Sequence, residues 1–189
     1  MVLRPEPIFD AIQEVEARYG VHHRILLTPR GRRFDQGLAR ELAGKERLLF
    51  LCGRYEGFDE RIREACEWDE ISIGDFVLAG GELPALAIAE AAIRLLPGVL
   101  GHEQSAVQDS FTQGSRLDHP HYTRPREWRG RSVPEILFSG DHRAIEEWRL
   151  KEALRLTEKR REEDEKHRGL REDPPTHSPN NESPKRDES

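Results

Sequence analysis

The sequence predicts an α/β fold with a mostly parallel sheet. Short apolar segments of strand length alternate along the chain with segments of helical periodicity. One of them, residues 47–52, is apolar at every position after Arg47, which is typical of a parallel strand buried on both faces. The longest helical segment of the first half, residues 82–96, is apolar on nearly all its sides, which is typical of a buried helix.

The elements before that long helix follow from local periodicity and from residues that end helices or strands. Gly20 ends the first helix, Thr28-Pro29 ends the first strand, and Asp59 suits the N-cap of the second helix. In chain order, the segments are a weak amphipathic helix over residues 8–18, strands over 24–27 and 47–52, a short helix over 59–66 and a strand over 70–73.

The second half of the chain is less regular. Residues 99–132 have no clear period, 134–138 are expected to form a strand, and 141–157 a helix capped by Asp141. After Thr157 the sequence is highly charged and then rich in Pro, Ser and Asn, with Leu170 as its only aliphatic or aromatic residue. We therefore expect one folded domain over residues 1–157 and a disordered charged tail over 158–189.

Composition excludes several classes of protein. The 30 basic and 36 acidic residues give a net charge of −6, which favours neither an acidic tail protein nor a polybasic one. No segment approaches the roughly 18 apolar residues that a membrane span needs, and the N-terminus lacks the apolar stretch of a secretory signal. Two cysteines, Cys52 and Cys66, make neither a disulfide framework nor a four-ligand zinc site. A cytoplasmic protein is expected.

Two segments that follow strands carry residues suited to ligand binding. Residues 51–57 (LCGRYEG) follow the most apolar strand, at the end where open α/β sheets bind ligands, although an ordinary tight turn explains the glycines equally well. Residues 72–82 (SIGDFVLAGGE) join a strand to the long helix, and Gly80-Gly81 permits close backbone approach. This segment has neither dinucleotide-binding nor phosphate-loop spacing, and its apolar side chains suit an adenine ring.

A third segment, residues 105–134, mixes arginine with Tyr122 and Trp128, which suits unstacked RNA bases and their phosphates. A solvated charged loop explains this composition about as well. Glu90 and Arg94 have the i, i+4 spacing of a helix ion pair. His119 and His121 lack the supporting ligands of a zinc site, and Cys52 on the apolar strand fits core packing better than nucleophilic chemistry.

Several motifs in the chain occur in the same order in one known family. They are residues 52–61 (CGRYEGFDER), 72–84 (SIGDFVLAGGELP), 97–101 (PGVLG), 109–111 (DSF), 122–125 (YTRP), 133–134 (VP), 137–140 (LFSG) and 148–149 (WR). Over residues 1–157 the chain closely resembles the bacterial tRNA (guanine-N1)-methyltransferase (TrmD) family.

The resemblance implies a fold and an activity. The fold is that of the SPOUT class of methyltransferases, an α/β domain with a deep trefoil knot that forms a homodimer. The activity is transfer of a methyl group from S-adenosylmethionine to N1 of guanosine 37 of tRNA, with a Mg²⁺ requirement for turnover. No protein-held metal site is implied.

The resemblance also implies roles for individual residues. Asp109 matches the general base, Arg94 its partner at the reacting guanine, and Glu56 a carboxylate near the target base. The residues that match the RNA contacts are Asp118, His121, Tyr122 and Arg124. Those that match the cofactor pocket are Leu27, Pro29, Gly53, Tyr55, Ile73, Gly74, Asp75, Phe76, Val77, Leu78, Gly80, Gly81 and Pro84.

The chain departs from the family's pattern at both ends. Family members carry a further segment before the position of Met1, and their C-terminal helical domain corresponds here to residues 141–157 alone, so the resemblance implies a truncated member. A second hypothesis is therefore a non-catalytic remnant that binds the cofactor or RNA. A related knotted methyltransferase acting on another RNA fits less well, because the segments around Asp109 and Tyr122 match this family specifically.

Overall fold

A three-stranded parallel sheet forms the centre of the first of two units. The computed structural model describes residues 1–54, 56–99, 109–112 and 114–169, and the chain divides into its two units after Thr112. The strands are β1 (His23–Arg33), β2 (Leu48–Leu51) and β3 (Asp69–Ser72), in the order β2-β1-β3 with both pairings parallel. The predicted α/β class with a parallel sheet is confirmed. The division after Thr112 lies inside the single domain expected over residues 1–157.

The central strand β1 is interrupted where the sequence predicts its end. Leu27 and Arg32 both pair with Ile71 of β3, so residues 28–31 leave the ladder between them. Gly31 suits this place because a Cβ there would overlap the backbone of β3. The strand therefore continues beyond Thr28-Pro29, and the excursion faces the ends of the neighbouring strands.

Among the described residues, four helices accompany the sheet: α1 (Pro5–Tyr19), α2 (Gln36–Ala43), α3 (Arg61–Ala65) and α4 (Glu82–Ile93). The sequence analysis does not predict α2. Its N-terminus is fixed by Asp35, whose side chain accepts a hydrogen bond of 2.8 Å from the backbone N–H of Leu38. The helix buries three apolar side chains, Leu38, Ala39 and Leu42.

The core of this unit lies where the sheet meets α2 and α4. It is entirely aliphatic at its centre, so burial of apolar area holds these elements together. Its buried members are Ile25, Leu27, Leu38, Leu42, Ile71, Ile88 and Ala92. Cys52 packs against this cluster with its side chain partly buried.

The helix α4 is not buried on all sides, contrary to the expectation from its composition. Its buried face carries Pro84, Ile88 and Ala92, which lie at intervals of four residues. A second apolar face is exposed in the single chain, with Leu83 and Leu86 each 66% exposed and Ile93 52% exposed. A helix that is apolar all round but covered on one side therefore presents an exposed apolar surface on its other side.

The second unit consists of a short hairpin, one turn of 3-10 helix and a long helix. The hairpin joins β4 (Glu127–Trp128) to β5 (Arg131–Ser132) in antiparallel register. The prediction of a strand over residues 134–138 is wrong, because Glu135–Phe138 form a 3-10 helix. Its backbone bonds are local: the N–H of Leu137 donates to the oxygen of Pro134, at 3.1 Å.

The last helix, α5 (His142–Gly169), extends well beyond the residue at which the sequence predicts its end. The predicted cap is confirmed, because Asp141 accepts a hydrogen bond of 3.1 Å from the backbone N–H of Ala144. Residues 158–169, expected to be disordered, are helical, and residues 170–189 of the expected tail lie outside the described part of the chain. No helix among the described residues has the length and apolar character needed to cross a membrane.

Candidate functional site

A cavity of about 450 Å³ lies at the carboxyl ends of the three parallel strands. Three segments surround it: the excursion of β1, the turn after β2 and the loop between β3 and α4. This is the edge at which parallel α/β sheets bind ligands. The lining residues are Leu27, Thr28, Pro29, Arg30, Gly53, Arg54, Glu56, Gly57, Phe58, Glu60, Arg63, Ile71, Ser72, Ile73, Gly74, Phe76, Val77, Leu78, Ala79, Gly80, Gly81 and Pro84.

Most residues that the sequence associates with a cofactor pocket line this one cavity. They are Leu27, Pro29, Gly53, Ile73, Gly74, Phe76, Val77, Leu78, Gly80, Gly81 and Pro84. Asp75 is not one of the lining residues; its exposed carboxylate pairs with Arg33 at 2.9 Å. Tyr55 lies outside the described residues. The site therefore combines segments that are far apart in sequence.

Backbone contacts hold the second and third segments together. The N–H of Gly81 donates a hydrogen bond of 2.9 Å to the carbonyl of Gly53. A Cβ added at Gly81 would lie 2.8 Å from the Cα of Cys52, and one added at Gly53 would lie 2.8 Å from the ring of Phe58. Gly81 therefore needs glycine because two backbone segments pass so closely, and Gly53 because the Phe58 ring packs against it, so packing explains both glycines.

An ion pair links the same two segments through their side chains. Nε of Arg54 donates to Glu82 at 2.7 Å, and Arg54 and Gly80 also form an isolated antiparallel bridge. A hydrogen bond from its own backbone N–H and the bond from Arg54 lower the pKa of Glu82. The carboxylate thus stays charged at neutral pH and keeps the Arg54 side chain at the rim of the cavity.

The opposite rim carries a second charged cluster that the sequence analysis does not identify. Glu60 pairs with Arg30 at 3.0 Å and with Arg63 at 2.9 Å. The bond from Arg30 is the main cause that lowers the pKa of Glu60. Arg63 also donates to the hydroxyl of Thr28 at 3.3 Å. This cluster joins the excursion of β1 to the start of α3, so the cavity has two polar rims and an apolar wall.

The apolar wall is open to solvent in the single chain. Phe76, Val77 and Leu78 follow β3 and are all exposed, although they line the cavity. Exposed apolar side chains beside a concave surface suit a ligand with a flat apolar ring. Burial raises the pKa of the Cys52 thiol, which disfavours the nucleophilic thiolate form.

The structure joins two of the three residues that the sequence associates with catalysis. Arg94, at the C-terminus of α4, pairs with Asp109 at 2.7 Å, and both side chains are about one third exposed. The carboxylate that Arg94 pairs with is therefore that of Asp109, not that of Glu90 as helix spacing suggests. Glu56 lines the cavity, whereas Arg94 and Asp109 are not among its described lining residues.

The second unit contains its own cavity, of about 1140 Å³. Three of the residues associated with RNA contacts line it, His121, Tyr122 and Arg124. Arg126, from the arginine-rich segment that the sequence associates with RNA, also lines this cavity, as do three residues to which the sequence gives no site role: Phe138, Trp148 and Arg149. The guanidinium of Arg126 lies 3.8 Å from the centroid of the Phe138 ring, and the rings of Tyr122 and Trp148 are 6.3 Å apart. Such surfaces suit stacked bases and phosphates.

Asp118, the fourth residue associated with RNA, lies beside two histidines. Its Oδ2 is 2.9 Å from Nε2 of His121, and its Oδ1 accepts a 2.6 Å hydrogen bond from the backbone N–H of His119. Burial raises the pKa of Asp118, but these hydrogen bonds outweigh burial and leave the pKa lowered. The carboxylate is therefore ionised at neutral pH.

Comparison with known proteins gives a consistent family. Residues 1–166 match the family described as tRNA (guanine-1)-methyltransferase TrmD. The chain is 57% identical over 162 residues to the tRNA (guanine-N(1)-)-methyltransferases of Bacillus licheniformis and Bacillus subtilis, and 56% identical to that of Anoxybacillus flavithermus. Each alignment covers 85% of this chain and 66% of the relative, so the chain spans just under two thirds of the length of these relatives. The chain belongs to the tRNA (guanine-1)-methyltransferase TrmD family.

Proposed function

We propose that the chain transfers a methyl group from S-adenosylmethionine to N1 of guanosine 37 in tRNA, in the cytoplasm. The observation that carries this proposal is the single cavity at the strand ends, around which eleven residues associated with the cofactor gather. Membership of the family supports the reaction class. The enzyme reading is preferred to a non-catalytic remnant because an ion-paired carboxylate and guanidinium accompany the cavity.

The lining of the cavity fits S-adenosylmethionine. Phe76, Val77 and Leu78 offer an apolar wall for an adenine ring, and the backbone of Gly81 is close enough to Gly53 to leave no room for a side chain. We assign the amino acid portion of the ligand to the charged rims, where Glu82 pairs with Arg54 and Glu60 with Arg30. The cofactor supplies an electrophilic methyl group on a sulfonium ion.

The proposed chemistry requires a base and a cation beside guanine. Guanine N1 carries a proton, so its lone pair becomes available only as that proton leaves. We assign the proton acceptor to Asp109, because a carboxylate within hydrogen-bond reach removes such a proton. Arg94 would stabilise the negative charge that builds on guanine O6. Their 2.7 Å contact supports a paired role, and Glu56 would approach the target base from the cavity side.

We propose that turnover requires Mg²⁺ in solution, and we assign no Mg²⁺ site to the described residues. The described residues provide no oxygen-rich cage: the one group of three potential ligands among them contains two histidines, and Mg²⁺ prefers oxygen. Around the cavity Glu60 is already paired with two arginines. We assign no step to Mg²⁺.

The knot and the homodimer are also proposed. The close passage of Gly81 against Gly53 supports an arrangement in which the loop after β3 interlocks with the turn after β2, as in the SPOUT class. The exposed apolar face of α4, formed by Leu83, Leu86 and Ile93, supports a homodimer because a second copy would cover it. In the second unit, Asp118, His121, Tyr122 and Arg124 would contact tRNA.

Methyl transfer to defined transcripts tests the function. The purified chain is incubated with methyl-labelled S-adenosylmethionine and a tRNA transcript that has guanosine at position 37. The matched control transcript has adenosine there. We expect label only in the guanosine transcript, recovered as N1-methylguanosine. A chain that binds S-adenosylmethionine and tRNA but transfers no label would instead support the non-catalytic alternative.

A further inference from the structure

Three side chains in the second unit, each with a potential metal-ligand atom, lie close together and do not line the candidate cofactor cavity. Asp118, His119 and His121 each offer a ligand atom, and the three atoms lie within 4.8 Å of one another. Oδ2 of Asp118 is 2.9 Å from Nε2 of His121, and Oδ1 is 3.9 Å from Nδ1 of His119. The histidine rings are 4.5 Å apart between centroids.

We propose that Asp118, His119 and His121 bind a divalent transition metal ion, Zn²⁺ or Co²⁺. One carboxylate and two imidazoles form a ligand set that suits these ions, whereas Mg²⁺ requires oxygen ligands. The site shares Asp118 and His121 with the proposed tRNA contacts but uses no residue that lines the candidate cofactor cavity. The sequence predicts no zinc site here because His119 and His121 lack a supporting pattern of cysteines or carboxylates, whereas the fold brings the Asp118 carboxylate close to both histidines.

The three potential ligand atoms lie within 4.8 Å of one another, whereas ligand atoms bound at about 2.0–2.1 Å in a tetrahedron are separated by about 3.4 Å. Oδ2 of Asp118 is 2.9 Å from Nε2 of His121, and the 3.9 Å separation from Nδ1 of His119 is measured to the other carboxylate oxygen, Oδ1. Binding one ion therefore requires these side chains to rotate until one carboxylate oxygen and two imidazole nitrogens face the same point. The backbone N–H of His119 already holds the carboxylate, at 2.6 Å from Oδ1, and such hydrogen bonds orient metal ligands.

The surroundings determine how the ion would behave. His121 is 72% exposed, so a metal ion here would keep an open position for water or an anionic oxygen. His119 and His121 line the same cavity as Arg124, Arg126 and Arg149. Because these positive charges weaken cation binding, we expect a chelator to remove the metal ion readily.

Titration of the metal-free full chain with Co²⁺ tests the proposal, read by visible absorption in the presence of excess Mg²⁺ and without tRNA or S-adenosylmethionine. We expect one Co²⁺ per chain, displaced by Zn²⁺ and not by Mg²⁺. His119→Gln should weaken binding at least tenfold. His142→Gln is the matched control: it changes a histidine of the same unit outside the cluster and should leave affinity unchanged.

X-ray absorption on the Zn²⁺-loaded parent protein identifies the ligands without a variant. Two imidazole nitrogens and one carboxylate oxygen would support the site. A Zn²⁺ ion with fewer than two imidazole ligands would overturn it, as would unchanged Co²⁺ affinity in His119→Gln or the absence of stoichiometric Co²⁺ binding. Loss of methyl transfer plays no part in these outcomes, so failure of the proposed enzyme function is distinguishable from failure of this site.

Discussion

At the scale of single residues, Gly81 lies at a close approach of two backbone segments beside the candidate cofactor cavity. A methyl group there would meet the Cα of Cys52 at 2.8 Å, and backbone does not yield as a flexible side chain does. We predict that Gly81→Ala weakens S-adenosylmethionine binding at least tenfold, about 1.4 kcal/mol, as measured by calorimetry. Gly44→Ala is the control, because a Cβ there meets nothing closer than 3.5 Å. Unchanged affinity in a folded Gly81→Ala protein would contradict the assignment of the cavity.

Asp109 gives a second prediction at this scale. Asp109→Asn keeps the shape of the side chain but removes the proton acceptor, so single-turnover methylation should fall about 10²- to 10⁴-fold. Affinity for S-adenosylmethionine should remain unchanged, since Asp109 does not line the cavity. Asp10→Asn, an exposed position on α1, is the control and should keep the parent rate. Parental turnover by Asp109→Asn would move the role of base to another residue.

Some residues of the site can be predicted from the sequence, and others cannot. The glycines and apolar residues after β3 form one contiguous motif, which the resemblance identifies directly. The rim formed by Arg30, Glu60 and Arg63 brings together two segments that are far apart in sequence, and no local pattern predicts the contact between them. Helix spacing pairs Arg94 with Glu90, but tertiary structure brings Asp109 to it instead. Spacing along a helix therefore indicates which charged residues could form an ion pair, but the tertiary structure determines which of them do.

At the scale of elements, a charged cluster joins β1 to β3. Asp69 has a side chain only 10% exposed, 2.9 Å from His23 and 2.7 Å from Arg32. Burial raises the pKa of Asp69, but the bonds from Arg32 and His23 outweigh it and leave the pKa below its ordinary value of 3.8. The carboxylate therefore stabilises the fold above that value and loses this contribution as pH falls through its lower, folded-state pKa.

We predict that Asp69→Asn lowers the free energy of unfolding by about 2 kcal/mol at pH 7, and that its difference from the parent shrinks as pH falls below the ordinary value of 3.8. Denaturant titrations across this range measure both. Asp75→Asn is the matched control, because its pair with Arg33 is exposed and exposed pairs contribute little. A pH-independent difference for Asp69→Asn would show that the loss comes from packing and not from charge.

The elements that the sequence misjudges have identifiable physical causes. The turn of 3-10 helix at Glu135–Phe138 presents a short apolar run, and periodicity cannot distinguish such a run from a strand. The extension of α5 past Thr157 lacks apolar residues but carries pairs at i, i+4, including Lys159 with Glu163 and Arg161 with Glu165. These pairs stabilise a solvated helix without a core. The charged composition of this segment predicts disorder, whereas the i, i+4 spacing of its opposite charges favours a helix.

At the scale of the whole molecule, parallel topology determines where the site forms. Because all three strands point the same way, the excursion of β1 and the segments that follow β2 and β3 meet at one edge, and the described residues that line the cavity come from these three parts of the chain. The alternation of strands and helices therefore predicts both the sheet and the location of the site. It does not predict which face of α4 is covered, because a helix apolar all round gives no periodic signal.

The exposed face of α4 leads to a prediction about assembly. Leu83, Leu86 and Ile93 form an apolar surface that a homodimer would bury. Leu86→Glu places a charge in that surface, and an unpaired charge is costly to remove from water. We therefore expect Leu86→Glu to be monomeric at concentrations at which the parent chain is a dimer, as measured by sedimentation equilibrium. Leu154→Glu on α5, where the leucine is 54% exposed, should remain dimeric. A Leu86→Glu protein that sediments as the parent does would exclude this face of α4 as the dimer interface.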